Sequence, residues 1–539
     1  MVIPELMEEV LEVSGRFVPL VMVLLSVTAA VLIFPLREQS VRLRSTINIG
    51  LAVIKVVLVA LLVPPVVVEG VRPEFSTPFL PGLDLVLRVD PLALFFAGLS
   101  VLLWLLTTIY AVGYLEGKTH RSRFFGFFSL CVTATVGLSF SGNLITFLLF
   151  YELLTLVTYP LVAHWGNPAS VRAARLYLRY ALTGGLSVLV GVVWLTMHAG
   201  PVDFTEGGAE GVVELARQEP MQATVIFVML VGGLAVKTAI FPLHGWLPAA
   251  MVAPAPVSAL LHAVAVVKAG AFGIVRVIDD VYGVEAADSL GVLSPLLVMA
   301  CVTVLFGSYV ALRQQDLKRR LAYSTVSQVS YIVIGITLVD VIATAGGLAH
   351  LVHQGIMKIT LFFCAGLFAE VLHVHQVSEM RGLGRRMPWT SAAFTVGAFG
   401  MIGLPPTAGF VSKWQLGQGA LASEHPWVLL VLLASTLLNA AYFLPVVYTM
   451  WFHAPELDDE DGADGADAAD GAESADAADG ADSADDEADD EAEVAVREPK
   501  VLLIPTAVTA VLVVGVGLIA SLPLSPWETA RIIAEGVFG

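Results

Sequence analysis

Apolar stretches of 18 or more residues recur from one end of this chain to the other. Each is long enough to cross a hydrocarbon core of about 30 Å as a helix. No other feature constrains the fold as tightly. Composition agrees: 57% of the 539 residues are hydrophobic and 14% charged, where soluble domains carry about 25% charged residues. The chain reads as an all-α polytopic membrane protein lying in a lipid bilayer.

Fourteen spans are expected, near 17–35, 46–68, 90–114, 124–140, 143–163, 173–198, 222–247, 252–277, 290–312, 321–339, 343–372, 391–422, 427–452 and 500–522. Loop charge then alternates. Arg37, Arg42 and Arg44 follow span 1; Lys118, Arg121 and Arg123 follow span 3; Arg172 and Arg175 follow span 5. Arg313, Lys318, Arg319 and Arg320 follow span 9, and Arg381, Arg385 and Arg386 follow span 11. Loops after even spans are poor in Lys and Arg. Positive charge marks the cytoplasmic side, so both termini are expected outside. One missed helix would scramble this alternation.

The net charge of −18 has a local origin. Residues 456–498 hold 20 Asp or Glu and one Arg; without them 28 basic residues face 27 acidic ones. Residues 458–493 carry no aromatic and no large aliphatic side chain. Such a stretch cannot bury enough apolar area to offset its ordering entropy, so a solvated, disordered cytoplasmic loop is expected. Cys131, Cys301 and Cys364 stand alone in apolar stretches without metal-ligand spacing, which suits buried core residues. The N-terminus is acidic where a signal peptide would be basic, so span 1 is expected to be retained. No cofactor, metal or nucleic acid is implied.

Charges inside the spans carry the functional signal. The chain has eight lysines, and Lys237, Lys268, Lys358 and Lys413 fall well inside spans. Glu152 is central in span 5, His262 lies in span 8, and His350 and His353 lie in span 11. A charge at the bilayer centre costs about 2.5–3.5 kcal/mol on insertion scales. Several on different helices require that they face one another or line a hydrated cavity. Three residues have simpler readings: Lys55 snorkels near the cytoplasmic end of span 2, Glu370 sits near a helix end, and His353 packs in the core.

Proton relay is the chemistry that fits. Burial disfavours a charged amine and a nearby carboxylate favours it, so moving or neutralising the carboxylate would switch a lysine between holding and releasing a proton. Histidine titrates near neutral pH and serves as an intermediate station. On span 11, His350 and Lys358 are eight residues apart, about 80° around a helix, and share a face. On span 8, His262 and Lys268 are six apart, about 240°, and do not.

Lys237 is followed five residues later by Pro242, which removes a backbone donor and breaks span 7. An interrupted helix is tolerated at membrane depth only where protein covers it or it lines a cavity. Span 12 repeats the device with Pro405, Pro406 and Gly409, then Lys413. Spans 7 and 12 are five apart, and an odd offset reverses orientation. Two inverted five-helix repeats follow, spans 4–8 and 9–13, with ion sites at mid-membrane. The expected domains are three N-terminal spans (1–123), a first repeat (124–278), a second (290–453), the acidic loop (456–498), and a last span with the C-terminus (500–539).

These residues resemble the antiporter-like proton-translocating family. It comprises the large membrane subunits of respiratory complex I, of membrane-bound hydrogenases and of Mrp-type multisubunit cation/proton antiporters. The resemblance covers about residues 85–450. Its most specific part is "KTAIFPLHGWLPAAMVAPAPVSALLHAVAVVKAGAFGIVR" (237–276), supported by "HLVHQGIMKITLFFCAG" (350–366) and "GLPPTAGFVSKW" (403–414). It implies a relay of Glu152, Lys237, His262, Lys268, His350, Lys358 and Lys413. Departures stand at Ala249 and Ala250, where the family often has an acidic residue, and at Gln354, where a second span-11 histidine is usual.

The branch follows from smaller features. Lysine rather than glutamate in span 12 disfavours the middle subunit of complex I. It favours the D-type subunit of an Mrp antiporter and also permits other complex I antiporter-like subunits. A long amphipathic arm after span 14 is not expected, which disfavours the largest complex I subunit. The resemblance thus implies a transporter subunit, not itself an enzyme, in a cell-membrane assembly with other membrane subunits. It would move protons against a monovalent cation, sodium or potassium. The alternative is a proton-pumping, non-redox subunit of a complex I-type oxidoreductase or hydrogenase. No feature suggests the organic-substrate pocket of a stand-alone carrier.

Overall fold

The structure, a computed structural model, describes residues 2–454 and 495–538. The acidic segment 458–493, with the expectation placed on it, lies outside the described residues. All fourteen expected spans are helical. Among the described residues, twelve segments are long and apolar enough to cross a membrane. The other two expected spans depart for visible reasons. The helix over span 10 opens with Lys318, Arg319 and Arg320 and continues through Ser, Thr and Gln. Span 12 is split into two 15-residue helices.

The N-terminal bundle is α1 (Val2–Ile33), α2 (Val41–Val63) and, after a hairpin of β1 (Glu74–Leu80) and β2 (Leu83–Arg88), α3 (Pro91–Tyr114). The hairpin, absent from the expected elements, turns at Pro81-Gly82, where Gly82 takes φ +76°, and pairs Glu74 with Arg88. Asp90 caps α3 by accepting from the Ala93 amide, with Pro91 in the first turn.

Next come α4 (Arg121–Ser139), α5 (Leu144–Val162), α6 (Pro168–Ala199), the short α7 (Glu210–Gln218) and α8 (Pro220–Thr238). After its break, span 7 restarts as α9 (Trp246–Ala249). Span 8 is itself broken, into α10 (Ala255–Ala263) and α11 (Val266–Arg276), followed by α12 (Val284–Ser289). The second half is α13 (Leu293–Arg313), α14 (Leu317–Thr337), α15 (Val341–Leu372), α16 (Leu383–Arg386), α17 (Pro388–Ile402), α18 (Ala408–Ala422) and α19 (Val428–Phe452). The chain closes with α20 (Lys500–Leu518) and an amphipathic α21 (Pro526–Phe538), which folds back onto α15 and α3.

Packing recurs between the halves. α4 packs on α5, α5 on α6, and α6 on α8, with α11 against α4. Likewise α13 packs on α14, α14 on α15, and α15 on α18, with α19 against α13. Segment Ala255–Tyr282 is wholly enclosed by protein, whereas Val41–Val68 lies at the rim.

The loops sort onto two ends, as alternation requires. The Gly142 amide meets the Val86 carbonyl at 2.9 Å and Phe204 meets Gly142 at 2.9 Å. Thr205 meets Asp280 at 3.2 Å, so the loops after spans 2, 4, 6 and 8 share one end. At the other end the Ser122 amide donates to the Glu38 carboxylate at 3.2 Å. There Arg123 reaches the His164 carbonyl at 2.8 Å, and Lys118 pairs with Glu370 at 2.6 Å. The basic loops therefore lie together.

One reading of a single residue is corrected. Lys55 does not snorkel: it is fully buried, fourteen residues into α2, with its ammonium turned to Ser26 of α1. Glu152 is only part-buried, because that face of α5 looks out at the flank of the subunit.

Candidate functional site

Lys237 occupies the last turn of α8. The helix stops where Ala239 takes the left-handed conformation, φ +61°. The freed backbone is re-satisfied by protein: the Trp246 indole donates to the Val236 carbonyl at 2.8 Å, and the Phe241 amide donates to the Thr303 hydroxyl at 3.1 Å. This is how an interrupted helix survives at membrane depth. The Lys237 ammonium, 1% exposed, donates to the Tyr151 carbonyl and sits 3.2 Å from the centroid of the Tyr151 ring. Glu152, the next residue on α5, is its electrostatic neighbour. One carboxylate oxygen, Oε1, is buried with no hydrogen-bond partner among the described residues. Gly185 of α6 makes its room, since a Cβ there would overlap the carboxylate.

The break in span 8 falls at Val264 and Ala265 and separates His262 from Lys268. The 240° separation belongs to one continuous helix and does not apply across it. His262 is fully buried and stacks on Phe362 of α15 at 4.6 Å. Lys268, fully buried, donates to the Leu351 carbonyl of α15 at 2.8 Å. Arg276 anchors the far end of α11, reaching Asp90 and Asp280 at 2.7 Å each. Gly270, two residues past Lys268, presses against the Thr238 backbone beside Lys237.

α15 gathers the rest. His350 Nδ1 meets the Ser412 hydroxyl of α18 at 2.9 Å, and its ring stacks on Tyr331 of α14 at 5.1 Å. Lys358 donates to the Leu321 carbonyl at 3.0 Å and to the Ser324 hydroxyl at 2.6 Å. Lys413, part-exposed, donates to the Met401 and Ile402 carbonyls at 2.7 and 3.1 Å. Those carbonyls end α17, so the cation sits at the negative end of a half-helix. Lys413 also lies 5.4 Å from the Tyr331 ring centroid.

The seven predicted residues fall into two groups. Glu152 and Lys237 form one. In the other, His350 is within electrostatic reach of both Lys268 and Lys413, Lys268 of Lys358, and Lys358 of His262. Two members, Glu152 and Lys413, are part-exposed; the other five are enclosed. Both side-chain polar atoms of Gln328, Gln354 and His353 and the Tyr331 hydroxyl are buried without partners among the described residues. Buried polar atoms of this kind are where ordered water enters a protein.

Sequence reasoning missed Tyr151, Ser324, Ser412 and Tyr331, the neutral partners of the charges. It also passed over His244, inside the most specific stretch. That ring packs against Phe306 at 4.9 Å and Tyr323 at 6.0 Å, and its Nδ1 is buried without a partner among the described residues. A histidine beside a helix-breaking proline was the available signal.

A polytopic helical bundle with lysines on broken spans and histidines between them defines an antiporter-like membrane protein. The chain belongs to the NADH:quinone oxidoreductase/Mrp antiporter transmembrane family, whose model matches residues 141–439. It is 39% identical to NADH-quinone oxidoreductase subunit N of Desulforudis audaxviator, over 68% of this chain and 72% of that protein. It is 35% identical to the A/B subunit of a probable K(+)/H(+) antiporter of Rhizobium meliloti, over 62% of this chain and 32% of that protein. The fold matches a chain of the Mrp complex from Dietzia sp. DQ12-45-1b with a TM-score of 0.81 at 22% identity, covering 97% of this chain and 99% of that one.

Proposed function

We propose that this chain is the proton-conducting membrane subunit of a multisubunit monovalent cation/proton antiporter of the Mrp type, similar to its D subunit. It works in the cell membrane beside other membrane subunits, with the basic-loop end cytoplasmic and both termini outside. The observation that carries the reading is that enclosed lysines and histidines of α10, α11 and α15 stand within electrostatic reach of one another and of the part-exposed Lys413 of α18, beside a second group in which Glu152 faces the buried Lys237.

In this reading Lys237 holds a proton while Glu152 is ionised nearby, and yields it when the carboxylate moves or is neutralised. Lys268, His350, Lys358 and Lys413 then exchange protons through water at the unpartnered side chains around them, with His262 beside Lys358. The breaks of spans 7, 8 and 12, each in a span that carries a lysine, supply the room that a continuous helix lacks. Sodium or potassium would be the coupled cation.

The 39% identity to a NADH-quinone oxidoreductase subunit supports a second reading, a proton-pumping subunit driven by redox chemistry elsewhere. Inverted vesicles holding the whole complex separate the two. If adding sodium or potassium collapses a preformed pH gradient, and deleting this chain abolishes the effect, the antiporter reading stands. If the cations have no effect while an electron donor builds a gradient, the second reading replaces it.

A further inference from the structure

The relay leaves one mid-membrane lysine unused. Lys55 is fully buried among α1, α2 and α3. Its ammonium donates to the Ser26 hydroxyl and lies 5.3 Å from the Trp104 ring centroid. No Asp or Glu occurs in α2, α3 or α4, and those of α1 precede Arg16, far along the helix from Ser26. An ionisable side chain at this depth, without a counter-ion among the described residues, is retained for function rather than packing.

The surroundings show a way in. Arg44, Asn48 and Lys55 lie on one buried face of α2, and the eleven residues from Arg44 to Lys55 span about 16 Å of rise. Arg44 stands at the basic-loop end, donating to Ser122 at 2.9 Å. One layer deeper, Asn48 accepts from Ser129 of α4 at 3.4 Å, while its amide nitrogen is buried without a partner among the described residues. On antiparallel α3, the Thr108 hydroxyl and, one turn deeper, the Trp104 indole nitrogen are likewise buried without partners. Three unsatisfied polar atoms thus mark the depths between Arg44 and Lys55, whereas buried hydroxyls nearby, such as Thr107 and Ser129, bond carbonyls of their own helices.

We infer that α1–α4 hold a second proton-binding site, the Lys55 amine, reached from the basic-loop end by a water file along Asn48, Thr108 and Trp104. The amine takes a proton from a hydronium of that file and returns it to the same water. The inference goes beyond the relay, which contains no residue of these helices.

Cysteine accessibility in the intact complex tests it without depending on transport. Asn48→Cys, Lys55→Cys and Val59→Cys are exposed to a membrane-impermeant methanethiosulfonate from each side. Labelling of positions 48 and 55 from the basic-loop side, with position 59 unlabelled, is expected. An unlabelled Lys55→Cys, or labelling from the opposite side alone, overturns the inference. In the intact complex the Lys55 amine should react with a membrane-impermeant amine-reactive ester added from the basic-loop side, read by peptide mass, and faster as pH rises and the amine loses its proton; Lys55→Met should remove that modification, and Val53→Ala, on the exposed face of α2, should leave it unchanged. No modification of Lys55, or a rate that does not change with pH, would make Lys55 a helix anchor. If the complex moves no protons at all, the relay reading fails, while the labelling still decides whether water reaches Lys55.

Discussion

Spans 7 and 12, both broken, bring a lysine to mid-membrane in different company. Lys237 is held across a helix interface, by the Tyr151 carbonyl and ring, with the Glu152 carboxylate beside it. Lys413 is held within its own span, by the last two carbonyls of α17, and its ring neighbour is the neutral Tyr331. Among the described residues, Lys358 likewise donates to a carbonyl and a hydroxyl. The first half therefore has a charged partner on a part-exposed side chain, and the second half has backbone and hydroxyl dipoles. In the proposed relay, switching accordingly belongs to the Glu152–Lys237 pair, and the α15–α18 stations conduct what it delivers.

That division can be broken most severely at Lys237. Lys237→Ala should abolish proton movement in vesicles matched for expression, since a positioned proton-transfer group is worth about 10²–10⁴ in rate. Residual movement near the parental level would place the switch elsewhere. Glu152→Gln should come next. Transport is expected to fall about tenfold or more, one decade for each 1.4 kcal/mol of altered lysine proton affinity, while blotted protein stays level. Equal losses of both would mark the pair as a structural ion pair.

In the second half, Ser324→Ala removes the side-chain hydrogen-bond partner that Lys358 has among the described residues. It should destabilise the protein by about 1–3 kcal/mol, measured as a lower unfolding temperature in detergent, with transport reduced less than in Glu152→Gln. A larger transport loss than Glu152→Gln would reverse the assignment of switch and conductor. Gly185→Ala should have the smallest effect. Its methyl displaces the Glu152 carboxylate, but that side chain is flexible and part-exposed, so a partial form of the Glu152→Gln defect is expected. Unaltered transport would mean the carboxylate position is unimportant.

Spans and charges were legible because the bilayer penalises them so heavily: a lysine such as Lys358 inside an apolar run stands out without knowledge of its neighbours. Partners were not legible. Ser324 and Ser412 look like any hydroxyl residue in a helix, for instance Thr107, which bonds the Leu103 carbonyl in its own helix. Their role depends on which helices meet. The break at Val264 and Ala265 carries neither proline nor glycine, so tertiary packing sets it. Lys55 was misplaced because its depth was read from the span edge alone, although its shared face with Asn48 and Arg44 could be counted from the sequence. The hairpin was announced by Pro81-Gly82 but lay in what passed for a loop.

The central claim is that Lys237 gives up its proton, and Lys237→Arg tests it most directly. Arginine keeps the positive charge and can still meet the Tyr151 carbonyl and Glu152, but with a pKa above about 12 it cannot release a proton at any working pH. The measurement is quenching of a pH-gradient dye in inverted vesicles, with the assembled complex matched to the parent. The account predicts normal assembly and no proton movement. Substantial proton movement through the arginine variant would contradict it and leave Lys237 as a fixed structural charge.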